Sequence, residues 1–241
     1  MNNFNITRFI KLLQYRISIH KTRWLMQLAG LTGIALLITS LFIKDIARYH
    51  AFDNFYGTLL GFSVVFIGAY LSSRAFIELK NTSNGFLYLM LPASTFEKFI
   101  IPSLFSGILF FTFYLGVYAL LANLSNFIWG LAYHFPMEIY NPLSAKAIKY
   151  TMVSIKIFLI LQPVFLLGSV IFKKNHFIAT AIVVFVLLIG LSLINLLTTK
   201  IVSGEFESVN LNAKNINIYW IIIFHIIINI ATFFKLKEKQ I

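Results

Sequence analysis

Long apolar stretches alternate with short polar and charged segments along this chain, and the uncharged stretches have the lengths of membrane-spanning helices. Twenty uncharged residues separate Arg23 from Lys44, and twenty separate Asp53 from Arg74. A helix of about 20 residues crosses a hydrocarbon core about 30 Å thick. A charged side chain near the bilayer centre is costly, so the gaps between charges mark the spans.

The same pattern continues along the chain and predicts an all-α integral membrane protein with six transmembrane helices. The stretch after Lys98 is uncharged as far as Glu138, which is long enough for one span followed by an aromatic segment at the membrane interface. The predicted spans lie within one membrane domain, residues 24–241, and cover about 25–43, 54–73, 99–124, 150–172, 177–199 and 218–234.

Residues 1–23 precede the first predicted span, and we expect them to form an amphipathic helix along the inner membrane surface. Apolar side chains recur there at helical spacing, and basic side chains fall mostly on the opposite side. The apolar set is Ile6, Phe9, Ile10, Leu13 and Ile17, and the basic set is Arg8, Lys11 and Arg16. An ordinary basic tail beside the membrane is the alternative. No small-residue cleavage site follows the first apolar run, so we expect the first helix to be uncleaved.

Composition agrees with a membrane protein and changes how the charge is interpreted. Of the 241 residues 59% are hydrophobic and 12% are charged, whereas soluble domains carry about 25% charged residues. The net charge of +12 would suggest nucleic acid in a soluble protein. Here the basic residues flank apolar segments, so we expect membrane lipids and not nucleic acid as their partners.

The distribution of basic residues predicts the orientation of the chain. With the N-terminus inside, thirteen of the twenty Lys and Arg residues lie on the cytoplasmic side and seven on the other. This bias favours cytoplasmic N- and C-termini in a multi-pass protein of the bacterial inner membrane.

Ionisable residues give no sign of chemistry within the predicted spans. All eight acidic residues fall in predicted loops or at helix ends, which argues against ion-coupled transport. The chain contains no cysteine, no HExxH motif and no GxxxxGK[ST] phosphate loop. We therefore predict no catalytic residue, no cofactor-binding residue and no metal ligand, and the chain is not expected to be an enzyme.

Three ionisable side chains near or within spans have two possible interpretations. His225 lies deep in the sixth predicted span, where a neutral ring hydrogen-bonded to a neighbouring helix is favoured over a proton path or a ligand site. Lys149 and Lys156 recur at i, i+7 on one face of the fourth span. They either extend to the outer headgroups or contact an anionic substrate or lipid.

Small residues on the second predicted span indicate a close helix contact. Gly57, Gly61, Gly68 and Ser72 recur at spacings of four, seven and four. This pattern leaves a groove that another helix can approach closely. The pattern is equally compatible with a helix of the same chain and with a second subunit.

The segment between the second and third spans, residues 73–99, is the most informative one for function. Its length and its mixture of apolar and charged positions suit a helix lying on the membrane surface. Pro92 ends any preceding helix, and Ser94-Thr95-Phe96-Glu97 has the pattern of a capping box that starts the third helix at Ser94.

Three features taken together point to a known family: six predicted spans, a basic amphipathic N-terminal segment, and the inner sequence Leu89-Met90-Leu91-Pro92-Ala93-Ser94-Thr95-Phe96-Glu97-Lys98. They resemble the membrane subunit of type 2 ABC transporters, specifically small bacterial permeases. In that family the loop after the second span forms a coupling helix that sits on a separate ATP-binding subunit. Two permeases pair with two such subunits.

The resemblance implies which residues face the ATP-binding subunit. They are Arg74, Glu78, Lys80, Glu97 and Lys98, with Lys173 and Lys174 from the second inner loop. It also implies that ATP and Mg²⁺ bind to that partner, that the chain itself holds no cofactor, and that a second copy or a related permease completes the transporter. Many family members carry a re-entrant hairpin before the sixth span, whereas residues 200–216 here are short and polar.

Three functions are therefore compared. The leading one is the permease subunit of an ATP-driven exporter, with the translocation path in this chain and a dimeric membrane assembly. The second is a non-transporting scaffold or assembly protein that binds a cytoplasmic partner through residues 73–99. The third is a lipid-modifying enzyme that uses outer-face residues such as His50, Asp53, His134 or Glu138.

Overall fold

The computed structural model of the chain describes residues 5–19, 21–22, 30, 34, 38, 41, 52–80, 82–91, 93–133, 139–144, 147–172, 174–203 and 218–239. Over these residues all regular structure is helical and there is no strand, which confirms the all-α prediction for this part of the chain. Most of the first predicted span, 25–43, and of the polar segment 200–216 lies outside the described residues.

Helix α1 covers residues 6–19. The elements that follow are α2 (Phe52–Ser73), the 3₁₀ helix η1 (Ile77–Lys80), α3 (Thr82–Met90), α4 (Thr95–Ser106), α5 (Ile108–Tyr133), α6 (Ile148–Ile171), α7 (His176–Ser203) and α8 (Ile218–Glu238).

Four helical stretches in the described part of the chain are long and apolar enough to cross a membrane. They are Asn54–Ser73, Thr95–Ala132, Ile148–Ile171 and Ile218–Glu238, and the shorter stretch His176–Gly190 of α7 is also apolar. Exposed large apolar side chains cover these helices, which is the surface expected of helices in contact with lipid. The chain therefore has the helices of a membrane protein, and the count of six spans stays a prediction.

The chain folds into two compact units. Unit 1 contains Met1–Gly68 and Pro92–Phe158, and unit 2 contains Ala69–Leu91 and Leu159–Ile241. Helices α2 and α6 each contribute residues to both units.

Within unit 1 the glycines of α2 lie against α6. A Cβ atom on Gly57 would lie 2.8 Å from the ring of Tyr150, and one on Gly68 would lie 2.5 Å from the ring of Phe158. A Cβ atom on Gly61 would likewise lie 3.1 Å from Oγ of Ser154. Contacting residue numbers rise together on both helices, so α2 and α6 run parallel. The small-residue groove predicted on α2 is thus occupied by a helix of the same chain.

In the structure, the third predicted span, 99–124, is part of two helices and not a single one. The helix begins at its N-cap, Ser94, as predicted, but α4 ends at Ser106 and α5 runs on to Tyr133. Pro102 removes one backbone N–H inside α4, and the backbone at Gly107 is not helical, with φ −102° and ψ −106°. The aromatic residues Phe127 and Trp129, expected at an interface beyond the span, lie within α5, which continues to Tyr133.

The core of unit 1 buries polar groups that satisfy one another. The hydroxyl of Tyr56 donates to Asn126 Oδ1 at 2.6 Å, and the hydroxyl of Tyr118 donates to the Tyr56 carbonyl at 2.7 Å. Asn123 exchanges two hydrogen bonds with the backbone of Tyr140, at 2.8 and 3.0 Å. Such pairing is required where no water is present, because an unsatisfied polar group in hydrocarbon costs several kcal/mol.

Unit 2 is held together by close contacts between α6 and α7. A Cβ atom on Gly168 would overlap the side chain of Thr180, so only glycine fits at this crossing. One turn away the Phe177 ring stacks on Phe165, with centroids 5.5 Å apart, and meets Tyr70 edge-on at 6.0 Å. The start of α7 is therefore fixed against the ends of both α6 and α2.

Gly57→Ala tests the packing of α2 on α6. The added Cβ would lie 2.8–2.9 Å from Cδ2, Cγ and Cβ of Tyr150. The base of that side chain moves only with its backbone, so we expect a loss of about 1–3 kcal/mol in the free energy of unfolding. Thermal unfolding of the purified protein in detergent measures this loss.

Gly116→Ala is the matched control, because Gly116 lies in α5 with nothing within 4 Å of an added Cβ. This change should leave stability unchanged or raise it by up to about 1 kcal/mol, since alanine favours the helix. Equal losses in the two variants would contradict the proposed packing role of Gly57.

Candidate functional site

The chain leaves α2 through a short turn and forms a compact elbow, which we define as residues 74–91. Backbone hydrogen bonds from Arg74 to Leu71 and from Ala75 to Ser72 continue the last turn of α2, and η1 follows at once. The fully buried Phe76 anchors the elbow. Helix α3 then packs on η1, and a Cβ at Gly85 would lie 3.5 Å from Leu79 Cα, which is an ordinary van der Waals distance.

The surface of the elbow combines cationic and apolar side chains. Leu87 and Met90 are 66% and 65% exposed, and Lys80 is also exposed. Arg74 and Glu78 are half-buried. An exposed apolar patch beside charged residues is typical of a surface that contacts another protein or the membrane.

Arg74 is held in place by its own helix. Its guanidinium donates a hydrogen bond to the Tyr70 hydroxyl one turn earlier, and its Cζ atom lies 5.3 Å from the centroid of the Tyr70 ring. Tyr70 in turn contacts Phe177 of α7. Because these contacts are successive, the position of Arg74 is coupled to the start of α7.

The end of α8 reaches the same part of unit 2. The ammonium group of Lys239 donates a hydrogen bond to the Val170 carbonyl in the last turn of α6. The ends of α2, α6 and α8 and the start of α7 therefore meet at one end of unit 2, which we call the basic end. Its cationic side chains are Arg74, Lys80, Lys174, Lys235, Lys237 and Lys239. The charge bias of the sequence assigns all six to one side of the membrane.

His176 lies at this basic end. It is the first residue of α7, and the preceding Asn175 adopts a positive φ of 50° that turns the chain from α6 into α7. The residue is only 6% exposed.

Burial lowers the pKa of His176, and the positive charges of Lys80, Lys239 and Arg74 lower it further, whereas a hydrogen bond with the backbone of Phe172 opposes this shift. The residue precedes the fifth predicted span, 177–199, and so lies outside the membrane-spanning segments. At neutral pH its ring is therefore uncharged, with one N–H donor and one acceptor nitrogen.

Glu97 and Lys98 lie within the packing of unit 1. Glu97 is 0% exposed and forms the predicted capping box, in which its carboxylate accepts from Ser94 N at 2.9 Å and Ser94 Oγ accepts from Glu97 N at 3.2 Å. Its other oxygen accepts from Asn5 N at 2.8 Å and lies 3.5 Å from the Arg8 guanidinium. Glu97 therefore attaches α1 to the start of α4. Lys98 is 3% exposed.

Two basic side chains of α1 therefore lie against the rest of unit 1. Arg8 pairs with Glu97, and Arg16 is buried, whereas Ile6, Ile10 and Ile17 are exposed. We had expected Arg8 and Arg16 to lie near lipid headgroups. The structure instead directs both toward the protein and leaves an apolar side free, which suits a helix whose exposed side contacts lipid.

His225 makes the hydrogen bond to a neighbouring helix that the sequence favours. Its Nδ1 lies 2.9 Å from the Leu159 carbonyl of α6, and since a carbonyl only accepts, Nδ1 carries the proton. In a regular helix the Leu159 carbonyl would bond the N–H of residue 163, which is a proline. His225 therefore satisfies a carbonyl that Pro163 leaves without its helical partner.

The remaining predicted site residues fall into two groups. Lys149 is exposed, Lys156 is half-buried, Lys174 is exposed and Ser72 is fully buried. Lys173 lies outside the described residues, as do His50, His134 and Glu138 of the enzyme hypothesis, and the side chain of Asp53 is not described either. Among the residues that the structure does describe, no three His, Asp or Glu side chains are grouped as metal ligands would be.

The sequence did not single out His176 or Lys239. His176 follows Lys174-Asn175 in a short loop, where a lone histidine carries no motif, and Lys239 is one of several lysines at the end of the chain. Only the meeting of α2, η1, α7 and α8 places them together.

Comparison of the chain with protein-family models, with curated proteins and with solved structures gives no match.

The Pro163 and His225 pair yields a test by double-mutant cycle. His225→Phe should cost about 1–2 kcal/mol of unfolding free energy, because it leaves the half-buried Leu159 carbonyl unsatisfied. Pro163→Ala restores the backbone N–H that this carbonyl would bond in a regular helix. In the Pro163→Ala background, His225→Phe should therefore cost clearly less. Unfolding in detergent measures all four proteins, and equal costs in the two backgrounds would show that the pair is not coupled.

The lowered pKa of His176 predicts a pH dependence of stability. The unfolded chain takes up a proton near the ordinary histidine pKa of about 6.5, whereas the folded chain resists protonation, so stability should fall as the pH drops below about 6.5. The charges that act on the ring are those of Lys80, Lys239 and Arg74.

His176→Gln should reduce the pH dependence because it removes the titrating group. Thermal midpoints of both proteins between about pH 5 and pH 8 measure the effect. The same pH slope in both proteins would assign the dependence to other groups.

Proposed function

We propose that this chain is the membrane subunit of an ATP-driven transporter, of the type 2 permease kind that its sequence resembles. A separate ATP-binding subunit docks on the elbow and on the neighbouring Lys174. The observation that supports this proposal is the elbow itself, a compact folded piece between two candidate spans that exposes Lys80, Leu87 and Met90 together.

The elbow suits the transmission of force. Phe76 is fully buried, and η1 follows α2 after a turn of only three residues, so a push on the elbow passes directly into α2. Packed helices respond to such a push as rigid bodies, which is the basis of rocking between two states. The predicted spans carry no acidic residue, so in this proposal the energy comes from ATP and Mg²⁺ on the partner.

The proposal includes an assembly in the bacterial inner membrane with cytoplasmic N- and C-termini. A second copy of the chain or a related permease forms the other half, as in the family that the sequence resembles. The glycine groove of α2 does not supply that interface, since α6 of the same chain occupies it.

Burial reduces the number of predicted docking residues that can contact a partner. Glu97 and Lys98 are packed inside unit 1, so reversing their charges would disturb the fold and could not report on a partner. Lys80 and Leu87 are exposed, so substitutions there leave the buried packing in place.

The test is purification from membranes of the native host in mild detergent. The unaltered chain should carry with it a protein that has a nucleotide-binding motif. The variant Lys80→Glu with Leu87→Glu should retain at least about tenfold less of it, because charge reversal and loss of an apolar contact at an interface each cost more than about 1 kcal/mol.

The control is Lys149→Glu with Leu143→Glu, which makes the same substitutions at two exposed positions of unit 1 on the predicted outer side. It should retain the partner in full. If the unaltered chain purifies without any ATP-binding protein, the scaffold function replaces this proposal. If both variants retain the partner equally, the elbow is not its docking site.

A further inference from the structure

We propose that α1 and α4 form one body at the inner membrane surface, joined by the Glu97 carboxylate, and that the exposed apolar side of α1 is its contact with lipid. The third membrane span then begins at Ile108 and not near residue 99. This inference does not rest on the proposed ATP-binding partner.

One buried carboxylate caps the first turns of two helices. Asn5 is the N-cap of α1, because its Oδ1 accepts hydrogen bonds from the backbone N–H groups of Thr7 at 2.9 Å and Arg8 at 3.4 Å. Glu97 Oε1 accepts from Asn5 N at 2.8 Å, and Glu97 Oε2 accepts from Ser94 N, at the N-cap of α4, at 2.9 Å. The positive ends of both helix dipoles therefore face the same negative charge. Because both bonds run to the backbone, the starts of α1 and α4 are held together.

The side of α1 that is turned away from the protein is divided between apolar and polar residues. The exposed isoleucines of the apolar half lie within about 40° of one another around the helix, and the polar half follows next to them. The apolar half contains Ile6, Ile10 and Ile17, and the polar half contains Lys11, Gln14 and Ser18. A helix with protein, apolar and polar sides lies where protein, lipid and water meet, which is the membrane surface.

The attachment to α1 sets the level of α4. If α1 lies at the membrane surface, the start of α4 lies there too, because Glu97 joins the first turns of both helices. The charges of Glu97 and Lys98, which are 0% and 3% exposed, are then outside the hydrocarbon core. This placement avoids the cost of a charge within the core.

The exposed surface changes at Gly107, where the backbone is not helical. Among the twelve residues of α4, all of which the structure describes, Phe96 alone is exposed. From Ile108 onward α5 exposes large apolar side chains along its length, such as Leu120 at 73% and Leu131 at 57%. Protein therefore encloses most of α4, and the surface suited to lipid begins with α5.

Helix length gives the same boundary. The stretch Thr95–Ala132 has 38 residues, and a straight helix of that size is about 57 Å long, nearly twice the hydrocarbon core of about 30 Å. Helix α5 alone has 26 residues, so at about 39 Å it crosses the core and reaches the headgroups on both sides. The midpoint of α5 lies near Leu120, whereas a span of 99–124 would have its midpoint near residue 112.

The depth of single spin labels in the bilayer tests this boundary. The chain contains no cysteine, so cysteines introduced one at a time at Phe96, Ile108, Phe113 and Leu120 can be labelled in the full chain. All four positions are exposed. The full chain is placed in vesicles of phosphatidylcholine and phosphatidylglycerol, and depth is measured from relaxation by oxygen and by a water-soluble nickel complex.

We expect the label at Leu120 to be the deepest, the label at Phe113 to be shallower, the label at Ile108 to lie at the headgroups and the label at Phe96 to lie outside the hydrocarbon core. A label at Phe113 deeper than one at Leu120, or a label at Phe96 within the core, would overturn the proposal. This measurement leaves Glu97 unaltered, so it does not depend on how a Glu97 variant folds.

Hydrogen exchange of Glu97→Gln tests the joint between the helices. Glutamine keeps one acceptor oxygen for two backbone N–H groups and removes the negative charge. The amides of α1 should therefore exchange at least about tenfold faster, because a charge-assisted hydrogen bond is lost. The amides in the middle of α5 should keep their rates, which a general loss of stability would not allow.

The matched control is Glu238→Gln, the same substitution at an exposed carboxylate that pairs with Lys235 of the same helix. It should leave the exchange of α1 unchanged. If Glu97→Gln behaves like this control, Glu97 does not join the helices. Equal acceleration in α1 and α5 would instead make Glu97 a determinant of overall stability and would also contradict the proposal.

Discussion

A backbone carbonyl inside a bilayer has no water to bond, and this requirement organises the helices of the protein. Pro163 interrupts the hydrogen bonding of α6 at a point where lipid cannot compensate. His225 of α8 supplies the missing donor to Leu159, so a break within one helix becomes a contact between two. The proline and the histidine are 62 positions apart in the sequence, and each accounts for the presence of the other.

The same requirement governs the polar side chains of unit 1. The hydroxyls of Tyr56 and Tyr118 are buried among apolar helices and are satisfied by Asn126 and by a backbone carbonyl. Close approach of α2 and α6 at the glycines brings the two helices into tight contact. Polar satisfaction and glycine contacts together give rigid helices, on which the proposed transmission of force from the elbow depends.

Charged side chains, unlike the buried polar groups, collect where the helices end. At the start of α4, Glu97 is used inside the protein, where it caps the helix and holds α1 through Asn5 and Arg8. At the basic end of unit 2 the cations are instead in excess, and three of their charges lower the pKa of the buried His176. The first cluster is therefore paired within the protein, and the second carries an excess of positive charge.

The sequence by itself determined the helical class, the membrane character, the helix start at Ser94 and the apolar stretches, because each depends on local patterns of charge, length and capping. It also favoured the interhelical hydrogen bond of His225, since an uncharged histidine within an apolar span needs a donor or acceptor nearby. Only the tertiary structure decided that α6 fills the groove of α2, that Glu97 and Lys98 face inward, and that Lys239 lies beside His176. These facts depend on which distant helices meet, and no local pattern encodes that choice.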